Sequence, residues 1–150
     1  MYVGRYYHTV EEQGRIAVPV KFRQQLGKTP VMTRGLDGCL FMFADSEWTV
    51  FLGDMQSAPF TKKTNREFVR LMANDAAELE LDAQGRVLIP EFLKTQAGID
   101  KNVVFAGSIN KVEIWDQEKY HAYLDGVSER AEEIAERFEL SPVQKEQEDA

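Results

Sequence analysis

The chain has 150 residues, 43% of them apolar, and carries 18 basic and 25 acidic side chains for a formal net charge of −7. That length fits one domain or two small ones, and the single cysteine, Cys39, excludes an internal disulfide. No apolar run is long enough to span a bilayer, and the opening MYVGRYYHTV lacks the basic-then-apolar order of a secretory signal, so a cytoplasmic chain is expected.

Taken in chain order, residues 2–7 and 15–19 read as strands, with Gly14 in a loop whose tight turn favours left-handed backbone. Pro19 and Gly27 bracket a short helix, with proline at its start and glycine past its end. Residues 31–35 and 39–43 form a second strand pair around the Asp37-Gly38 turn, and Cys39 in the run CLFMF reads as a small buried hydrophobe. Asp45-Ser46 is placed to cap a helix that gathers Trp48, Phe51, Leu52 and Met55 on one face. Residues 53–61 read as a linker, followed by a helix from Thr61 to about Asn74 with Phe68, Leu71 and Met72 inward. The strand Val87-Leu88-Ile89 is apolar without alternation, which predicts burial on both faces. Pro90 and Gly98 bracket a second short helix. Asp116 is placed to cap one long last helix that buries Tyr120, Tyr123, Leu124, Val127, Ala131, Ile134 and Phe138, against its own chain or a neighbouring subunit. After Leu140 the sequence SPVQKEQEDA has no apolar period and reads as a disordered acidic tail.

These elements come in two sets. VEEQGRIAVP at 10–19 returns as LDAQGRVLIP at 81–90, a shift of 71, with Gln13, Gly14, Arg15 and Pro19 matched by Gln84, Gly85, Arg86 and Pro90. The order continues with a shift of 72, where Val31 meets Val103, Gly35 meets Gly107, Phe43 meets Trp115 and Trp48 meets Tyr120. The expected organisation is a first repeat over 1–55, a connecting linker and helix over 56–76, a second repeat over 77–140 and the tail over 141–150. Each repeat is too small to bury a comfortable core alone, so the two are expected to share one.

Charge is segregated along the chain. Residues 1–36 hold six basic and two acidic groups, while residues 113–150 hold four basic and twelve acidic ones. A local basic patch sets the field that a phosphate backbone meets, so a net negative charge does not exclude nucleic acid. Each repeat places a carboxylate four residues before an arginine, Glu11 before Arg15 and Asp82 before Arg86, with Gly14 and Gly85 beside them. Two roles fit that spacing equally. Each pair can brace its own loop, although a surface pair contributes only ~0–1 kcal/mol. Alternatively, the carboxylate orients a guanidinium that forks onto phosphate or a guanine edge.

Several segments together are similar to the MraZ family of bacterial transcriptional regulators: YVGRYYHTV, GRIAVPVKFR and NDAAELELDAQGRVLIP, with E-x-x-x-R and D-x-x-x-R in the two halves. The resemblance covers roughly residues 1–140. It departs from the family's double D-x-x-x-R signature at Glu11, and Gln13 stands where many members have lysine. The resemblance implies an α+β fold, a pseudo-two-fold double-split β-barrel of AbrB-like swapped hairpins with flanking helices. It also implies a sequence-specific regulator of the division and cell-wall gene cluster, binding short direct repeats in double-stranded DNA upstream of its own operon as a ring-shaped homo-oligomer. On that basis Arg15 and Arg86 are the expected DNA-binding residues, supplemented by Arg5, Lys21 and Arg23. Glu11, Asp82, Gly14 and Gly85 orient the loops. The chain is then expected in the nucleoid, with no cofactor, metal, small-molecule substrate or membrane as partner. Arg15 is expected to lead in DNA contact, because the second loop has Glu78, Glu80 and Glu91 close in sequence.

An enzyme is not expected. His8 and His121 fall on different elements, and neither a ligand-spaced cluster nor a nucleophile motif is present. The competing class is a structural or protein-interaction ring without specific DNA binding, which the acidic balance and the apolar stripe of the last helix would suit.

Overall fold

The computed structural model describes residues 1–140, and the tail expected at 141–150 lies outside the described residues. Within them, eight strands and six helices alternate in an α+β arrangement. The first set is β1 (Arg5–Thr9), β2 (Arg15–Ala17), α1 (Val20–Leu26), β3 (Val31–Arg34), β4 (Leu40–Phe43), α2 (Asp45–Ser57) and α3 (Lys63–Asn74). The second is β5 (Ala77–Glu78), β6 (Arg86–Leu88), α4 (Glu91–Gln96), β7 (Asn102–Gly107), β8 (Val112–Asp116), α5 (Gln117–Glu129) and α6 (Ala131–Arg137). The chain divides into a compact unit over Met1–Tyr120 and a second that begins at His121.

Six strands of the first unit form one sheet in the order β1-β7-β8-β4-β3-β5, and β2 pairs with β6 in a separate two-stranded ladder. The two repeats are therefore interleaved. β1 pairs with β7, β5 with β3, β4 with β8 and β2 with β6, each pair joining one repeat to the other. The β4·β8 register matches Leu40 with Ile114 and Met42 with Val112, so the 72-residue shift maps the pairing onto itself. One apolar cluster draws on both copies, with Ile16, Phe22, Leu26, Met32 and Met42 from the first and Val87, Leu93, Val103, Phe105 and Ile114 from the second. A second cluster, containing Phe41, Phe43, Val104 and Trp115, has Trp48, Phe51 and Tyr120 packed against it.

Local chemistry explains most element boundaries. α1 and α4 follow Pro19 and Pro90, whose φ values of −52° and −55° suit a helix entrance. Helices this short are not stable alone, and they hold because Phe22, Leu26 and Leu93 are buried. Asp37 and Gly38 take φ of 65° and 93°, the two left-handed residues of the β3–β4 turn. Cys39 is buried there, its Sγ donating to the Leu36 carbonyl at 3.2 Å, and burial pushes the thiol up to about 12.

Four expectations are corrected. Ala44 occupies the cap position of α2, one residue before Asp45-Ser46; the Ala44 N–H donates to the Glu47 carboxylate at 2.8 Å. Leu71 on α3 is exposed while Met72 is fully buried, because α3 meets the sheet along a narrow line that includes Met72, whose carbonyl accepts from buried Thr33 Oγ1 at 2.8 Å. Leu88 is 48% exposed rather than buried on both faces, since the β2·β6 ladder has only one covered face. The long last helix is broken at Arg130, whose φ and ψ of −108° and 17° leave the helical region, and Tyr123, Ile134 and Phe138 are exposed on the chain. Asp116 does accept from the Lys119 N–H at 3.3 Å, as its capping position predicts.

A shared core carries a direct consequence. Leu26→Ala and Leu93→Ala, one cavity in each repeat, should each lower the unfolding free energy by ~2–5 kcal/mol. In variants that retain only Trp48 or only Trp115, denaturant unfolding at fixed protein concentration should give coincident transitions that either cavity shifts together. Two separated transitions would show repeats that fold independently.

Candidate functional site

The two arginine segments pair with each other. In the β2·β6 ladder Arg15 stands opposite Leu88, Ile16 opposite Val87 and Ala17 opposite Arg86. Ile16 and Val87 are fully buried, so strand alternation turns Arg15, Ala17, Arg86 and Leu88 to the other face. The ladder is extended at both ends. The Gly14 carbonyl accepts from the Ile89 N–H at 3.3 Å, and the Gly85 carbonyl accepts from the Val18 N–H at 2.9 Å.

The loops that deliver these strands have the same backbone. In the first, the Glu11 N–H donates to the Arg15 carbonyl at 2.8 Å and the Gly14 N–H to the Glu11 carbonyl at 2.9 Å. In the second, the Asp82 N–H donates to the Arg86 carbonyl at 3.0 Å and the Gly85 N–H to the Asp82 carbonyl at 2.9 Å. Gly14 and Gly85 take φ of 82° and 77°, backbone that other residues adopt only with strain.

The side chains then diverge. Asp82 turns back on its own loop, Oδ1 accepting from the Gln84 and Arg86 N–H groups at 2.9 Å each and Oδ2 from Arg86 Nε at 2.9 Å. These amides, that of Arg86 first, hold the Asp82 carboxyl below the usual aspartate range. Glu11 is one methylene longer and does not close on its own loop. Its Oε2 accepts from Arg86 Nη1 at 2.9 Å, across the ladder. The expected Asp82–Arg86 pair is present, whereas the expected Glu11–Arg15 pair is replaced by Glu11–Arg86. Among the described residues the Arg15 guanidinium makes neither an ion pair nor a hydrogen bond. Arg15 and Arg86 line one shallow depression with Glu11, Glu12 and Gln13.

The other basic residues are placed differently. Arg23, on α1, donates from Nε to the Val18 carbonyl of its own repeat at 2.7 Å. A Cβ at Gly85 would collide with the Arg23 guanidinium, so Gly85 is required for space as well as for φ. Lys21 is exposed on α1. Arg5 is not brought to the ladder. It starts β1, at the end away from Glu11, with Nη1 3.5 Å from the Tyr120 hydroxyl and its guanidinium 5.8 Å from that ring's centroid. Leu88 was missed as a site residue, since its exposure beside Arg15 follows only once the two copies are known to pair. His8 stacks edge-to-face on Phe105 at 5.5 Å, and partial burial lowers its pKa. Among the described residues no group of three or more His, Cys, Asp or Glu could hold a metal ion, and no helix is long and apolar enough to cross a membrane.

Comparison with known proteins gives a consistent result. The family model for MraZ protein, whose description also calls it antitoxin-like, matches twice, over residues 1–71 and 72–140. The chain is similar to the transcriptional regulator MraZ of Ligilactobacillus salivarius, 44% identical over 138 residues that cover 92% of this chain and 96% of the relative. It is similar to the protein of the same name from Carboxydothermus hydrogenoformans, at 45% over 92% and 96% of the two chains. A third, from Acetivibrio thermocellus, is 42% identical over 140 residues, or 93% and 98% of the two.

Asp82 offers a check on the loop geometry. Its folded pKa is depressed, so its contribution to loop order is present above the ordinary aspartate pKa of ~3.9 and is lost as pH falls through the lower folded value. The side-chain carboxyl resonance of Asp82 should titrate with a midpoint below ~3.9. Arg86→Gln should raise that midpoint only part of the way, because the backbone amides remain. A full return would mean that the guanidinium alone holds the carboxylate.

Proposed function

Because this chain belongs to the MraZ family, we propose that it is a DNA-binding transcriptional regulator without enzymatic activity. In this reading it recognises short direct repeats upstream of its own operon, the division and cell-wall gene cluster, and acts in the nucleoid as a ring-shaped homo-oligomer. The two repeats, 1–55 and 77–140, joined by the connector 56–76, then form the halves of a pseudo-two-fold double-split barrel.

The observation that carries the proposal is the outward face of the β2·β6 ladder, where Arg15 and Arg86 stand one residue either side of the buried Ile16–Val87 pair. A guanidinium is the side chain best suited to fork onto a phosphate or a guanine edge. Presented from a loop whose glycine gives it close backbone approach, it needs no recognition helix. Arg23 and Lys21 on α1 lie next along the chain and suit phosphate contacts. Arg5, engaged with Tyr120, suits a flanking contact at most. No small molecule or cofactor is needed for any of this.

Assembly resolves the charge problem. In this reading a subunit with net charge −7 binds DNA weakly on its own. Several copies on one rigid ring engage successive repeats, and each later contact is intramolecular, which raises avidity by ~10²–10⁴. The second reading, a structural ring without specific DNA binding, is favoured by the exposed Ile134 and Phe138 among the acidic groups of α6.

Arg15→Ala should strongly weaken the gel shift of a duplex from the region upstream of this protein's gene, while light scattering reports the same assembly mass. An undiminished shift would overturn the assignment of Arg15. Absence of any salt-dependent binding by the unsubstituted protein would favour the structural ring.

A further inference from the structure

We infer that Glu11 withdraws Arg86 from DNA contact, so that the two arginines, matched in sequence, do different work: Arg15 is the contacting residue and Arg86 a positioning residue. This rests on the DNA-binding reading and assigns roles within that same site.

A guanidinium grips a phosphate or a guanine through one of two edges, Nε with Nη2 or Nη1 with Nη2. In Arg86 each edge has a nitrogen already bonded to a carboxylate. Nε donates to Asp82 Oδ2 and Nη1 to Glu11 Oε2, both at 2.9 Å. The Nε–Nη2 fork is therefore broken, and the Nη1–Nη2 fork shares its Nη1 with a carboxylate. Charge points the same way, since one positive group between two carboxylates leaves that spot negative, and an approaching phosphate is repelled. Arg15 shares depressions with Glu11, Glu12, Glu78 and Glu80 but is bonded to no carboxylate among the described residues, so all its donors are available.

The division of labour traces to one methylene. Asp82 is short enough to accept from two amides of its own loop and still reach its own arginine. Glu11 leaves its own loop and crosses to the other repeat's arginine instead. Arg23, also from the first repeat, lies against Gly85. The second loop thus meets two polar side chains of the first repeat, whereas the first loop meets the apolar Leu88 of the second at Gly14.

The test uses the full chain and a fluorescein-labelled duplex of the DNA immediately upstream of its own gene, with binding followed by anisotropy across a salt series. Arg15→Ala should weaken binding at least ~tenfold and flatten the slope of log affinity against log salt by about 0.9 for each subunit engaged on the duplex. Arg86→Gln should leave that slope unchanged. Glu11→Ala should free the Nη1 edge, tighten binding ~3–10-fold and steepen the slope by about 0.9 for each subunit engaged. Combining it with Arg86→Gln should return the slope to the starting value. Glu12→Gln removes a neighbouring charge bonded to neither arginine and should leave the slope unchanged. Because Arg86→Gln can loosen its loop, the Glu11→Ala arm is decisive: it touches none of the bonds that Asp82 makes. An Arg86→Gln slope as flat as that of Arg15→Ala, or a Glu11→Ala slope unchanged from the starting protein, overturns the assignment alone. A starting protein without salt-dependent preference for its own upstream duplex over a scrambled one overturns the DNA reading and this assignment with it.

Discussion

The antiparallel pairing of β2 with β6 is the constraint on which the rest of the structure depends. It joins the two copies of the repeated segment to each other rather than to their own repeats. Once Ile16 and Val87 are opposite one another and buried, period-two alternation leaves no choice about where Arg15 and Arg86 go. A slip of one residue would bury both guanidinia without partners and expose both apolar side chains. The hydrophobic effect that closes the core therefore also sets the registry of the arginine-bearing face, and the other interleaved pairs, β1 with β7 and β4 with β8, reinforce the same interleaving.

The parts of this arrangement legible in the sequence are those dictated by local chemistry. The 71-residue echo, the Pro19 and Pro90 helix starts, the Asp37-Gly38 turn and the Gly14 and Gly85 positions all follow from what single residues can or cannot do to the backbone. The parts that were not legible depend on partners distant in sequence. Leu88 looks like a buried strand residue until β6 is known to belong to a ladder covered on one side only. Leu71 has the right spacing to be buried, but α3 covers the sheet along a narrower line than the pattern allows. The stripe from Tyr120 to Phe138 is periodic, yet periodicity does not report whether a surface waits to receive it, and the break at Arg130 has no glycine or proline to announce it. For the candidate site, the residues were visible and the bonds were not. Glu11 and Asp82 occupy matching positions, and their different choices of acceptor geometry rest on a side-chain length acting in three dimensions.

Net charge illustrates the same separation of scales. A formal −7 describes the chain at a distance greater than the screening length, about 8 Å at physiological salt. Closer in, the field is set by which groups are paired. Among the described residues, Arg34 and Asp75 neutralise one another at 2.8 Å and Arg86 is more than neutralised, while Arg15 keeps its charge. A ligand that comes within a few ångströms of the ladder meets that local pattern.

The inequality of the two loops has a consequence for symmetry. A pseudo-two-fold ladder with two equivalent arginines would present the same face in either orientation, and a two-fold reader is matched to a palindromic site. Here the backbone keeps the two-fold, with matching hydrogen bonds at Glu11 and Asp82. The side chains break it, because one carboxylate turns inward and the other crosses over. A face with one open arginine and one braced arginine has a direction. Copies placed head to tail around a ring would all point the same way along a bound duplex, and a directional unit repeated by rotation is matched to tandem copies of a short sequence rather than to inverted ones. The crossing of Glu11, together with Leu88 standing where the first repeat has Ala17, would thus turn a symmetric scaffold into a polar one without disturbing the fold that carries it.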